Sequence, residues 1–426
     1  MLTRLKKADA VIVGGGLTGL LLGASLAHEG MKVAVLEAGD GDHAPPHHLA
    51  TVCLAPQYER IIHAHSVDAA RLYAGLLQSQ LNALLAAHQP YVQRLPLYTY
   101  AQDKAQLPAL ERQRTLYAAL GLSAHIAPDA GGCPFPVELS LCAPDQAAVD
   151  ISRWRAALMG SIRRKGGQIY THIRVIGFDA QRICTEHGCI IAPICLLTTG
   201  VPLGMEDPAM LACSTLAHCT LTGPVPLHSI QQPIQEGGLL LCPTPFGIQA
   251  TLNAGRCGTR QQQQQLEHFS KTLRRMLPDC HQQSFTYTRH VQSADGLPLI
   301  GMLPGTQRLC AAGISSIPGA MHAAAVLTRH ILGHTLPEDA LFSPGRKLPP
   351  KVQRQVRQHN AGVRAANWLH IGAPACAHCG CRLRYTSALA RWECPLCASS
   401  YTLLGQPLDG PGMSPADISP RQRPTE

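Results

Sequence analysis

The chain has 426 residues, 46% of them hydrophobic and 15% charged, which is enough for two or three packed domains with sizeable cores. Its net charge of +9 is dispersed, with Arg163-Arg164-Lys165 and Arg346-Lys347 the densest basic spots, so a nucleic-acid surface is not expected. No apolar stretch approaches the roughly 20 residues of a membrane helix, and the apolar run after Lys6-Lys7 breaks at Gly14-Gly15-Gly16, so neither a membrane partner nor a secretory leader is expected. Seventeen cysteines without a leader point to a reducing compartment, and hence to a cytoplasmic protein.

Val11-Ile12-Val13 predicts a short buried strand, Leu20 to Ala27 a helix, and Lys32 to Leu36 a second strand ending on Glu37. Between the first strand and the helix stands Gly14-x-Gly16-x-x-Gly19. In such a unit the first glycine makes the tight turn, the second lets backbone approach a pyrophosphate, and the third lets the helix pack on the sheet. The helix N-terminus offers free N–H groups to the phosphates, and an acid about 20 residues on can bind ribose hydroxyls. Strand, glycines, helix, strand and acid occur in order, so the unit reads as nucleotide-binding. Glu37 favours FAD or NAD over a 2′-phosphorylated cofactor.

A simple NAD dehydrogenase would continue with regularly alternating strands and helices, and this chain does not. A polar, proline-broken loop is expected from Gly39 to Pro56, then a helix from Val67 to Ala87 and a strand-rich region that includes 91–103. A helix over Ile151–Lys165 leads through Gly166-Gly167 to a strand at 190–200. The glutamine run 261–265 leads into a helix near Leu266–Met276. "DGLPLIG" (295–301) precedes a strand at 308–313 and a helix from about Ala320 to Leu332.

Near the end, Cys376 and Cys379 form one Cys-x-x-Cys pair, and Cys394 and Cys397 a second. Two such knuckles suit a tetrahedral four-thiolate site for zinc or iron. His378 lies in Cys-x-His register with Cys376, so a [2Fe–2S] cluster held by Cys376, His378, Cys394 and Cys397 is the alternative, and free cysteines in a decayed domain a third. Histidines are dense between His28 and His88. His43 and His47 are separated by Pro45-Pro46, which denies them a shared helical face, and they read as loop residues. Tyr98, Tyr100 and His290 are candidates to line a substrate cavity; no catalytic acid or base is assigned.

The order of elements resembles the D-amino-acid-oxidase-like family of FAD-dependent oxidoreductases, and within it a subgroup carrying a C-terminal Rieske-type domain. "SVDAARLYAGLLQSQLNAL" (66–84), "YTYAQD" (98–103), "CPFPVE" (133–138), "KGGQIYTHIRV" (165–175), "DGLPLIG" and "LFSPGR" (341–346) carry the resemblance over residues 8–410. It implies an α/β fold: an FAD-binding Rossmann-like domain of glutathione-reductase type with an inserted α+β substrate domain, and a small all-β Rieske or zinc-ribbon-like domain. The oxidoreductase would span 1–345, with FAD-binding parts at about 1–60, 150–205 and 290–345 and cap parts at about 61–149 and 206–289. A linker (346–366), the metal domain (367–412) and a disordered tail (413–426) would follow.

The resemblance further implies that Leu17, Thr18 and Ala38 join Gly14, Gly16, Gly19 and Glu37 in binding the cofactor. Val175 would lie against the adenine, Gly200 would close on the cofactor, and Gly313, Gly319 and Met321 would face the flavin. The chain departs from the family at 44–53, where His47 and His48 replace hydroxyl residues, and in the final loop at 313–322. In the Rieske pattern, Cys397 stands in place of the second histidine. The expected activity is oxidation of a small amine or amino-acid-like substrate by hydride transfer to flavin, with the electron acceptor unspecified. The rival is a catalytically silent flavoprotein or a metal-binding interaction module.

Overall fold

A computed structural model describes residues 6–40, 47–179, 181–203, 205, 210–235, 237–245, 247–368, 372–419 and 422. His43 and the Pro45-Pro46 pair lie outside the described residues. Two larger sheets, a small one between the main body's segments and a C-terminal one organise the chain.

The first sheet has six strands in the order Leu299–Met302, Arg308–Ala312, Ile194–Gly200, Ala10–Val13, Val33–Leu36 and Gln168–Tyr170. All neighbours are parallel except the first pair. Ala10 and Ile12 point into one core and Val11 and Val13 into another, so the central strand is buried on both faces, as parallel strands require. The helices Leu17–His28, Ile151–Arg164 and Ile317–Ile331 cover one face. The other face is covered by a four-stranded sheet of Lys6–Lys7, Gly188–Ile191, Arg182–Thr185 and Val175–Asp179.

A nine-stranded sheet forms the second body, running from His281–Ser293 through Leu211–Thr222 and Gly247–Arg256 to Leu139–Asp150 and the edge strand His47–Ala50. The helix Arg260–Met276 buries Leu266, Phe269 and Leu273 against it. Part of the expected loop at 39–56 is therefore regular structure. His47–Ala50 pairs antiparallel with residues 147–150, and a helix begins at Ala55, where Pro56 sits in its tolerated first turn.

The boundary expected near residue 61 falls inside that helix, Ala55–Ala64. With the helix Val67–Ala86 it shares the core of the nucleotide-type sheet. Two of the quoted motifs meet in space: the buried Asp295 carboxylate accepts from Arg346 Nε and Nη2 at 2.8 and 2.9 Å, and His65 Nε2 stands 3.1 Å away. Burial would raise its pKa, but His65 and Arg346 outweigh it and hold the carboxyl well below the usual range.

Most of the segment expected as a linker is a helix, Pro350–Trp368, whose Val352 is buried near Ala64 and Leu348. After it, Arg384–Thr386, Arg391–Glu393, Ser400–Tyr401 and Pro407–Asp409 form an antiparallel four-stranded sheet. The expected disordered tail is ordered at its start. Ala416 donates its N–H to Gly405 O at 2.8 Å, and Ala416 and Ile418 are buried against Leu383, Trp392 and Tyr401, apolar surface that composition alone did not assign to this core. Among the described residues, no helix is long and apolar enough to cross a membrane.

Candidate functional site

The strand Ala10–Val13 ends at Gly14, whose φ of +110° suits glycine and whose absent side chain would stand 2.9 Å from Thr198 O. A Cβ on Gly19 would meet Thr198 Oγ1 at 2.7 Å and overlap the Gly14 carbonyl, so this glycine seats the helix on the strand. A Cβ on Gly16 would meet nothing within 4 Å: it faces open space. Gly16 is also the N-cap of Leu17–His28, and no side chain caps it, which leaves the first-turn N–H groups available. Glu37 follows the strand Val33–Leu36; Oε2 accepts from Gly15 N at 2.7 Å and Oε1 from Gly39 N at 2.9 Å.

These groups border a cavity of about 460 Å³ that Ala38, Arg174, Val175 and Gly200 also line. An acid at the end of the second strand, an uncapped helix start and a bare backbone at Gly16 fit the ADP half of a dinucleotide.

A second cavity, of about 530 Å³, meets the first at Gly16, Thr198 and Gly200. Leu17 and Thr18 line it from one side, and Ile314, Ser315, Ser316, Ile317 and Ala320 from the start of the helix Ile317–Ile331. His48, His218, Thr251, Thr288 and His290 line it from the nine-stranded sheet. His218 is wedged between two hydroxyls, with Nδ1 2.9 Å from Thr251 Oγ1 and Nε2 2.7 Å from Thr288 Oγ1, and the His48 ring stands edge-on to it at 5.8 Å. Burial pulls His218 down to about 3 and His290 down to about 4, so both imidazoles are neutral near pH 7. The region takes hydrogen bonds without a fixed charge on either ring. Arg155 is a cationic residue on the same wall.

Of the residues expected here, His290 lines the cavity as anticipated. Gly313, Gly319 and Met321 stand behind the lining residues: Gly319 donates its N–H to Ser316 Oγ at 3.1 Å, a helix cap, and Met321 packs on the core. Tyr98 and Tyr100 are not on the wall. Tyr100 is buried and donates to Leu239 O at 2.8 Å, while Tyr98 packs over Gly131. Sequence reasoning missed His218, Thr251 and Thr288. Their only signal is alternation along three strands, and it becomes a cluster only through cross-strand register such as His218 opposite Thr251.

The four cysteine sulfurs Cys376, Cys379, Cys394 and Cys397 lie within 4.8 Å of one another. The contacts between knuckles are short: 3.4 Å for Cys379–Cys394, 3.6 Å for Cys376–Cys397 and 3.6 Å for Cys379–Cys397. Sulfurs about 2.3 Å from one tetrahedral ion would lie about 3.8 Å apart, so the set converges on a single centre of that size. Both knuckles close by backbone bonds, Gly380 N to Cys376 O at 2.9 Å and Ala398 N to Cys394 O at 3.0 Å. His378 is outside the four-sulfur set. Cys397 beside it raises its imidazole pKa, and its Nε2 lies 3.2 Å from Met205 O.

The sequence profile of the DAO family, described as FAD dependent oxidoreductase, matches residues 9–326. A Bacillus subtilis (strain 168) protein named "Putative Rieske 2Fe-2S iron-sulfur protein YhfW" is 21% identical, over 96% of this chain and 92% of that one. Among solved structures, glycine oxidase from Geobacillus kaustophilus superposes with a TM-score of 0.61 at 18% identity, covering 81% of this chain and 100% of that one. L-proline dehydrogenase from P. horikoshii does so with a TM-score of 0.62 at 14% identity, covering 80% and 98%. The fold is shared with these enzymes, the two joined cavities fit the family's cofactor, and by its matched length the chain belongs to the DAO family of FAD-dependent oxidoreductases.

Proposed function

We propose that this oxidoreductase holds FAD along the two joined cavities and oxidises a small amine or amino-acid-like substrate in the cytoplasm. The observation that carries the reading is the meeting of the cavities at Gly16 and Gly200, with an acid-lined end at Glu37 and a neutral polar end at His218. Glu37 would take the ribose hydroxyls, the N–H groups that start Leu17–His28 the pyrophosphate, and Val175 the adenine. The start of Ile317–Ile331 would lie toward the flavin, with its positive helix end favouring electron density there. FAD, when bound, supplies the two-electron acceptor for a substrate hydride. Around the substrate, neutral His218 with Thr251 and Thr288 offers hydrogen bonds, and Arg155 suits a carboxylate.

The substrate class draws support from the relatives' names, which act on glycine, L-proline and L-amino acids. Neither a nucleic acid nor a membrane belongs to the reading. For the C-terminal site the reading is one zinc or iron ion on Cys376, Cys379, Cys394 and Cys397, supported by the single-centre convergence of the sulfurs.

Anaerobic addition of a panel of amines and amino acids to the flavin-loaded protein tests the enzymatic reading. Bleaching of the flavin band by at least one member is expected. A flavin that stays oxidised with every member, yet is reduced by dithionite, would overturn the substrate class.

A further inference from the structure

The wall of the adenosine-end cavity is not made by the oxidoreductase body alone. Pro407, Leu408, Asp409, Gly410, Gly412 and Met413, all from the C-terminal domain, line it together with Glu37, Arg174 and Val175. Arg174 Nη1 donates to Leu408 O at 2.9 Å, so the backbone of this segment is tied to the segment expected to carry the adenine contact.

The same segment leans directly on the thiolate knuckles. Ser399 Oγ accepts from Gly412 N at 3.1 Å and lies 3.2 Å from Cys397 Sγ, so one hydroxyl bridges a ligand thiol and the wall. Tyr401 OH lies 3.3 Å from Cys376 Sγ, and a Cβ on Gly412 would stand 2.8 Å from that hydroxyl. A Cβ on Gly410 would stand 2.7 Å from Ser399 Cα, so the two stretches of backbone touch.

The knuckle is in turn docked on the body by arginines that donate to its carbonyls. Arg256 reaches Pro395 O at 3.2 Å and Leu396 O at 3.4 Å, and Arg289, which borders both cavities, reaches Ala398 O at 2.6 Å. A continuous set of contacts therefore runs from the sulfurs through Ser399 and Tyr401 to the cavity wall.

We propose that the C-terminal domain is part of the cofactor site: its segment Pro407–Met413 closes the adenosine end of the FAD cavity, and a metal ion on Cys376, Cys379, Cys394 and Cys397 fixes that wall in place. The proposal rests on the FAD reading above. A domain of this size has little core of its own, so a four-thiolate ion supplies much of its order. Without the ion, FAD binding must itself bear the cost of ordering the wall, and affinity falls. Linkage makes the effect reciprocal, so bound FAD also tightens metal binding by the same factor.

The test uses the full-length reduced chain, stripped by a chelator and then given zinc, with FAD affinity followed by quenching of flavin fluorescence. Stripping is expected to weaken FAD about 5- to 150-fold, the span typical of coupled sites, with recovery at one equivalent of zinc. FMN, which lacks the adenosine half, should change less than about twofold in the same titration. A Leu408→Asp chain, which puts a carboxylate on the wall without touching a ligand cysteine, should keep one zinc yet bind FAD at least about tenfold more weakly. Equal FAD affinity with and without zinc, equal weakening of FMN, or full FAD affinity in Leu408→Asp overturns this proposal alone. A zinc-loaded chain that binds no FAD at all overturns the FAD reading and this proposal with it.

Discussion

Gly19 lies so close under Gly14 that a side chain on it would overlap the Gly14 carbonyl and stand 2.7 Å from Thr198 Oγ1. Gly14 is the turn that ends the strand Ala10–Val13 and Thr198 lies in the neighbouring strand Ile194–Gly200, so the backbone there cannot move aside cheaply. Gly19→Ala is therefore expected to destabilise the fold by about 1–3 kcal/mol, the usual cost of overpacking. Thermal unfolding of the two chains measures it. An unchanged midpoint would show that the helix is seated more loosely than described.

Glu37 spends its carboxylate on Gly15 N and Gly39 N while facing the adenosine-end cavity. Hydrogen bonds to a charged group are worth about 1.5–3 kcal/mol each. Glu37→Ala should weaken FAD by about tenfold to a hundredfold and leave FMN affinity within about twofold. Calorimetric titration with the two cofactors separates this effect from a general loss of folding, which would lower both.

At the C-terminal site, Cys379→Ser and Cys397→Ser should each abolish stoichiometric metal, because the sulfurs of both contact the opposite knuckle. His378→Ala should retain it. Elemental analysis and the visible spectrum decide. Two irons and two acid-labile sulfides, lost in His378→Ala and kept in Cys379→Ala, would establish a Rieske-type cluster instead.

His218 is held neutral by burial, with a folded pKa of about 3 against about 6.5 for the unfolded chain. Between these values the unfolded state binds the proton and the folded state does not. The contribution of this group is complete above about pH 6.5 and is lost progressively as pH falls toward 3, at up to about 1.4 kcal/mol per pH unit. His218→Gln, which can still bond Thr251 and Thr288 but does not titrate, should flatten the profile of unfolding free energy against pH in that window. An identical slope in both chains would mean that the ring protonates in place.

The parts of this protein that were legible in its sequence are those whose signal is local. Gly14, Gly16, Gly19 and Glu37 lie within one strand–helix–strand unit, where the tight turn, the seating of the helix and the acid at the strand end are set by spacing along the chain. The two Cys-x-x-Cys knuckles were readable for the same reason. The polar cluster of His48, His218, Thr251 and Thr288 was not, since register across the nine-stranded sheet brings those strands together. Nor was the helix Pro350–Trp368, where a polar, basic segment gains its order by docking Val352. Contacts between the C-terminal segment and the cavity depend on domain docking, for which no sequence pattern exists.

The most direct test of the central claim, FAD held with its pyrophosphate over Gly16, is the flavin content of Gly16→Val. A Cβ at this position meets no protein atom within 4 Å, so the variant should fold and unfold like the parent, while its side chain fills the approach to the backbone. The parent, loaded with FAD and desalted, should carry one flavin per chain and the variant none, while the circular dichroism and thermal midpoint of the variant match those of the flavin-free parent. A folded Gly16→Val chain that retains one FAD would contradict the claim.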